Sequence, residues 1–155
     1  MINKMKHKNN NDIIKTNNDN IFSELIKNQH KQINADKRLL YNDIKRISKN
    51  LSKSIFGDEC SLWTGYVTVI KNDANKSYIN FYFKGKKCAL HRLLYINYIG
   101  NLPDSEYIKY KCENKGICCN INHIYKINTE NTEINNITNN TENESKLTNI
   151  IVNFN

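Results

Sequence analysis

The stretch from Tyr110 to His123, Tyr-Lys-Cys-Glu-Asn-Lys-Gly-Ile-Cys-Cys-Asn-Ile-Asn-His, constrains this chain more than any other. Cys112, the Cys118–Cys119 pair and His123 bring three or four soft ligands into one short loop, and Lys115-Gly116 marks where the chain turns. A loop of that length buries no core of its own, so something other than packing must hold it. Tetrahedral Zn²⁺ suits the donors, because it takes thiolate and imidazole and fixes a loop that packing cannot. The spacing does not fit a two-Cys, two-His finger, since no second histidine closely follows His123. The fourth ligand must come from afar, and Cys60, just ahead of Leu62-Trp63-Thr64-Gly65, is the best donor.

The cysteines also bear on compartment. There are five, an odd number, and no segment near Met1 resembles a signal peptide. No apolar run approaches membrane-spanning length. The expectation is an intracellular, non-secreted protein without membrane contact, whose clustered cysteines bind metal rather than form disulfides. The Asn-x-Ser/Thr triplets beginning at Asn136, Asn139 and Asn143 then read as chance in an Asn-rich chain.

Charge points to a partner. The formal net charge is +8, unevenly placed: Lys and Arg outnumber Asp and Glu by 12 to 5 in residues 1–54 and by 10 to 6 in residues 55–127. Residues 128–155 reverse this, with 1 against 4. A polyanion is the simplest partner for the basic segments.

Along the chain, residues 1–20 read as a disordered, Asn- and Lys-rich arm. Residues 21–56 read as a basic helical region, with Ile21, Phe22, Leu25 and Ile26, then Leu39, Leu40, Ile44, Ile47, Leu51 and Ile55, at three- and four-residue steps. Asn34 is a candidate cap for the second helix. Leu62 to Ile70 and Tyr78 to Lys84 are strand-like and flank Asn72–Lys76, a hairpin signal. Gly85-Lys86-Lys87 then turns the chain into a helix from about Cys88 to Ile99, stopped by Gly100, with Pro103 in the loop beyond. Tyr107–Tyr110 and His123–Ile127 read as strands entering and leaving the cysteine loop. A helical turn is expected around residues 131–137, within an otherwise Asn-rich tail over residues 132–155.

Taken in order, Cys60-Ser-Leu-Trp-Thr-Gly, a hairpin, Leu90-His-Arg-Leu-Leu-Tyr on a helix and the cysteine loop ending in Asn122-His123-Ile124 resemble the zinc-binding region of His-Cys box homing endonucleases and their HNH relatives, the His-Me finger nucleases. The resemblance covers roughly Cys60 to Asn131, about half the chain. It implies an α+β, ββα-metal type domain over residues 57–131, with one structural zinc on Cys60, Cys112, Cys118 and His123. Cys118 keeps the family's spacing to His123, while a gap from Cys112 one residue longer than usual leaves Cys119 open as a substitute. Cys88 has no counterpart and reads as a small buried apolar group. The Asn-, Ile- and Lys-rich composition is similar to that of proteins from AT-rich giant viruses, which would place the chain in a host cytoplasm, a host nucleus or a viral factory.

The resemblance also exposes a break. Active members carry a general-base histidine two residues before the first loop cysteine, and this chain has Tyr110 there. A phenol with an ordinary pKa near ~10 is a poor base at neutral pH. Asn131, near the place of the family's Mg²⁺-holding residue, is one residue short of the expected offset. His91 is the candidate substitute base, set against a plainer place at the polar edge of its helix with Arg92. The leading expectation is a double-stranded DNA-binding zinc protein derived from a homing endonuclease, with Lys84, Lys86, Lys87 and Arg92 on phosphates. The alternatives are a working Mg²⁺-dependent endonuclease and a protein-interaction module on a zinc scaffold. A homodimer is expected from the family, with the final Ile-Ile-Val-Asn-Phe segment as a candidate arm.

Overall fold

The computed structural model describes residues 10–128. Helix α1 (Asn10–Asn28) and helix α2 (Tyr41–Lys49) precede a hairpin of β1 (Thr68–Ile70) and β2 (Asp73–Tyr78). A second hairpin, β3 (Asn80–Phe83) and β4 (Lys86–Ala89), leads directly into helix α3 (Leu90–Tyr98). Strands β5 (Glu106–Tyr110) and β6 (Ile124–Asn128) enclose the cysteine loop, which closes through a 3₁₀ turn at Ile121–His123. The described part is therefore α+β: three α-helices and three two-stranded antiparallel sheets.

Helix α3 is central. Leu90, His91, Leu93, Leu94, Tyr95, Asn97 and Tyr98 are all buried, so the helix is enclosed nearly all round, as a core helix must be. On one side it joins a core running from Ile21 and Leu25 of α1 through Ile44, Ile47, Leu51 and Ile55 to Phe81, Phe83 and Cys119. On the other it meets Leu102 and Ile124. The basic helices and the region from residue 57 onward thus share one core.

Several elements differ from the sequence reading, each for a physical reason. Helix α1 starts at Asn10, inside the arm read as disordered. Once Ile21 and Leu25 anchor it, adding polar turns toward the N-terminus costs little, because propagation is far cheaper than nucleation. Asn34 caps a tight turn instead of α2, its carbonyl accepting from the Lys37 and Arg38 amides. The first turn of α2 is closed by Asp43, whose carboxylate accepts from the Leu40 amide at 3.0 Å. Lys84 and Gly85 both have left-handed φ, 47° and 79°, the requirement of a two-residue primed turn. Residues 86–89 accordingly pair with 80–83 before the helix begins. The strand expected from Leu62 narrows to Thr68–Ile70, and the turn between β1 and β2 lies at residues 71–72. Asn131, the 131–137 turn, the 132–155 tail with its candidate arm, and most of the 1–20 arm's first half lie outside the described residues.

The long link between α1 and α2 is held by Asn97, which is fully buried. Its Nδ2 donates to the carbonyls of Lys37 and Leu93, and its Oδ1 accepts from the Leu39 amide and from Gln29 Nε2. A buried amide satisfied on both ends fixes a non-repetitive segment without leaving polar groups unpaired.

Candidate metal centre

The cysteine loop is shaped from three directions. Lys111 N–H donates to the His123 carbonyl at 2.8 Å and zips its base. At its tip, Gly116 has φ 80°, and a Cβ there would lie 1.9 Å from the Ser77 carbonyl oxygen. Only glycine lets the loop lie this close to β2. Along its return arm, Trp63 N–H donates to the Ile117 carbonyl (3.0 Å) and Cys119 N–H donates to the Ser61 carbonyl (2.7 Å). Residues 61–63 therefore run antiparallel to 117–119, which brings Cys60, distant in sequence, to the side of Cys118.

Four side chains converge as a result. The Sγ atoms of Cys60, Cys112 and Cys118 and a ring nitrogen of His123 all lie within 4.8 Å of one another. His123 Nδ1 is 3.4 Å from Cys60 Sγ and 3.6 Å from Cys118 Sγ. A tetrahedron with zinc bonds of about 2.0–2.3 Å has nitrogen–sulfur edges of about 3.5 Å. His123 Nε2 is 2.9 Å from the Asp58 carbonyl, an acceptor only, so Nε2 carries the proton and the Nδ1 lone pair faces the sulfurs. That outward hydrogen bond orients the ring as second-layer partners of metal-binding histidines do. The donor set and its geometry fit a tetrahedral, thiolate-binding divalent ion.

The surroundings push two of these thiols in opposite directions. The side-chain hydrogen bond from Asn114, ahead of those from Cys118, Cys112 and His123, pulls the Cys60 thiol down to about 7. Burial pushes the Cys118 thiol up to about 12. Crowded thiols cannot all ionise against one another, whereas a bound divalent ion favours the thiolate at each.

Asn120 completes the frame, and nothing in an Asn-rich sequence singled it out. It is fully buried; its Nδ2 donates to the Gly57 carbonyl at 2.8 Å and to the Glu59 carbonyl, while Oδ1 accepts from the Asn122 amide at 2.8 Å. One side chain thus ties the turn carrying His123 to the segment carrying Cys60. Cys119, adjacent to a converging cysteine, faces the other way as part of the apolar core. Cys88 lies on β4, paired with Phe81 and packed against that core, away from the four. Trp63 is half-buried against the core beside the loop.

The remaining sequence candidates are dispersed. His91 is buried in α3 rather than at its polar edge: its Nε2–H donates to the Cys118 carbonyl at 2.7 Å, and its ring meets Tyr110 edge to face at 5.2 Å. Burial drives its pKa down to about 4. Tyr110, half-buried at the end of β5, has its phenol pushed above its ordinary range, first by burial and then by the nearby thiols. Arg92 is occupied internally, donating to the carbonyls of Glu106 (2.7 Å) and Pro103 (2.9 Å). Lys84 donates to the Ala35 carbonyl, while Lys86 and Lys87 are exposed. Arg46 donates to the Tyr82 carbonyl at 2.7 Å and lies over the Phe81 ring.

Comparisons add a viral relative. No family model matches the sequence, and no solved structure matches it. The chain is 46% identical over 139 residues, 88% of its length, to an uncharacterized protein of Acanthamoeba polyphaga mimivirus. The alignment covers 40% of that protein, so the chain spans about two fifths of its viral relative. None of the described helices is long and apolar enough to cross a membrane. The chain is thus an α+β homologue of a viral protein, with a three-cysteine, one-histidine group that could hold a metal ion.

Proposed function

We propose that this chain is a zinc-stabilised DNA-binding domain of His-Me finger descent that has lost its general base. The observation that carries the reading is the convergence of Cys60, Cys112, Cys118 and His123 within 4.8 Å on a loop bracketed by two antiparallel strands. The donors fit structural Zn²⁺, which would fix a loop that cannot pack by itself. Tyr110 occupies the place from which the general base would act, with its ring held against His91. His91 is spent in a hydrogen bond to the loop backbone, so it holds the scaffold rather than activating water. In this reading no Mg²⁺ step operates, and the protein's action is binding.

The net charge of +8 supports a polyanionic partner. Lys86 and Lys87, exposed on β4, supply phosphate contacts, while Lys84 and Arg92 brace the structure. Nicking of supercoiled plasmid in Mg²⁺ tests the reading, with the zinc-loaded protein beside its Tyr110→His variant. The proposal expects no cleavage by the natural protein and retarded migration of DNA that fades as salt rises. Cleavage by the natural protein would restore the endonuclease reading, and salt-independent or absent DNA binding would leave the protein-interaction module.

A further inference from the structure

Beside the cysteine loop, on the face of β2 and β5, lies a groove of about 750 Å³ that Tyr110 helps to line and that extends from there past residues to which the proposed function gives no role. Its apolar lining comes from Ile70, Ile108 and Ile127. Tyr78 and Tyr107, 39% and 54% exposed, also line it. Lys76, Lys109 and Lys115 supply its charge, and none of its described lining residues is acidic. Lys76 shares its charge with Asp73 at 3.0 Å, which leaves Lys109 and Lys115 as the main cationic contribution. Gly116 and Ser77 keep the groove's two sides together, since the Ser77 hydroxyl donates to the Lys115 carbonyl.

Exposed aromatic rings, an apolar lining and lysines form an unusual mixture. A duplex keeps its base faces stacked inside, so it offers exposed rings no base face to stack on. A single strand offers both parts: bases whose flat faces stack on aromatic side chains, and a backbone that follows positive charge. We propose that this groove binds single-stranded nucleic acid, with bases stacked on Tyr78 and Tyr107 and phosphates against Lys109 and Lys115. The inference rests on the nucleic-acid reading above and names the form of its partner.

Fluorescence anisotropy with a short labelled single strand and a duplex of equal length tests it on the full chain. The single strand is expected to bind more tightly. Tyr107→Ala should weaken it by about fivefold or more, while Tyr107→Phe, which keeps the ring, should not. Tyr107 is exposed, so circular dichroism should show both variants folded. Replacing Lys109 and Lys115 together by Ala should lower single-strand affinity and flatten its salt dependence more than replacing Lys86 and Lys87. Tighter duplex binding with no effect of Tyr107→Ala would overturn the inference and leave the DNA-binding reading standing. Binding of neither oligonucleotide, as a protein-docking groove would give, would overturn both.

Discussion

His91, enclosed in α3, donates its Nε2–H to the backbone carbonyl of Cys118 at 2.7 Å and so joins the central helix to the cysteine loop. The helix lies in the core, the loop carries Cys112, Cys118 and His123 of the candidate metal group, and this bond is one of the places where the two meet. Replacing His91 by Leu would keep the packing but leave the Cys118 carbonyl unpaired in a buried site. Denaturant titration should show a loss of about 1–3 kcal/mol. Metal affinity, read by competition with a chelating dye, should fall about 10–100-fold, as for lost second-layer contacts. An unchanged metal affinity would mean that the loop holds its shape without the helix.

The same histidine should make stability depend on pH. Its folded pKa is depressed to about 4 by burial, against an ordinary value near 6.5. A depressed histidine contributes fully above the unfolded value, and the contribution is lost as pH falls from there toward the folded value. By pH 5 the loss should reach about 2 kcal/mol. The informative quantity is the difference from His91→Gln, which has no titrating ring, because contributions from all other groups cancel in it. Urea midpoints of the two proteins should approach one another between pH 7 and pH 5.

Gly116 offers a sharper steric prediction. A methyl group there meets the Ser77 carbonyl oxygen at 1.9 Å, with φ at 80°. Gly116→Ala should therefore destabilise by more than the ~1 kcal/mol expected of a left-handed residue alone. Gly85→Ala is the comparison, because its φ is similar but nothing lies within 4 Å of the added carbon. Thermal melts should separate the two variants clearly, with Gly116→Ala the less stable.

What the sequence revealed followed the chemistry of the residue type. Cys112, Cys118 and His123 were readable because thiols and an imidazole at such short spacing form a metal-ligand pattern. Cys60 could be named as the distant donor, but the strand-like pairing of residues 61–63 with 117–119 that delivers it has no sequence signature. Spacing to His123 favoured Cys118 while leaving Cys119 open, and the fold turns the first thiol toward His123 and the second into the core. The apolar periodicity of α2 and α3 was legible. The β3–β4 hairpin was not, because Lys84-Gly85 is a weaker turn signal than Asn-Gly. Asn97 and Asn120 carry no sequence signal for a compositional reason: asparagine is abundant throughout, and only burial distinguishes the two that organise the chain.

Salt dependence addresses the surface. Duplex affinity measured from low to moderate salt should fall steeply, and replacing Lys86 and Lys87 together by Ala should reduce the slope of log affinity against log salt by about 2. Arg92→Ala should act differently, lowering stability through the Glu106 and Pro103 carbonyls it braces. A change in the salt slope without loss of stability would assign Arg92 to the DNA after all.

The most direct test of the account is metal content of the purified, tag-free protein by elemental analysis, with Cys118→Ser and Cys119→Ser alongside. One zinc per chain is expected in the natural protein and in Cys119→Ser, and its loss, with loosening of the loop, in Cys118→Ser. A metal-free natural protein that is folded, or zinc lost with Cys119 and kept without Cys118, would contradict it.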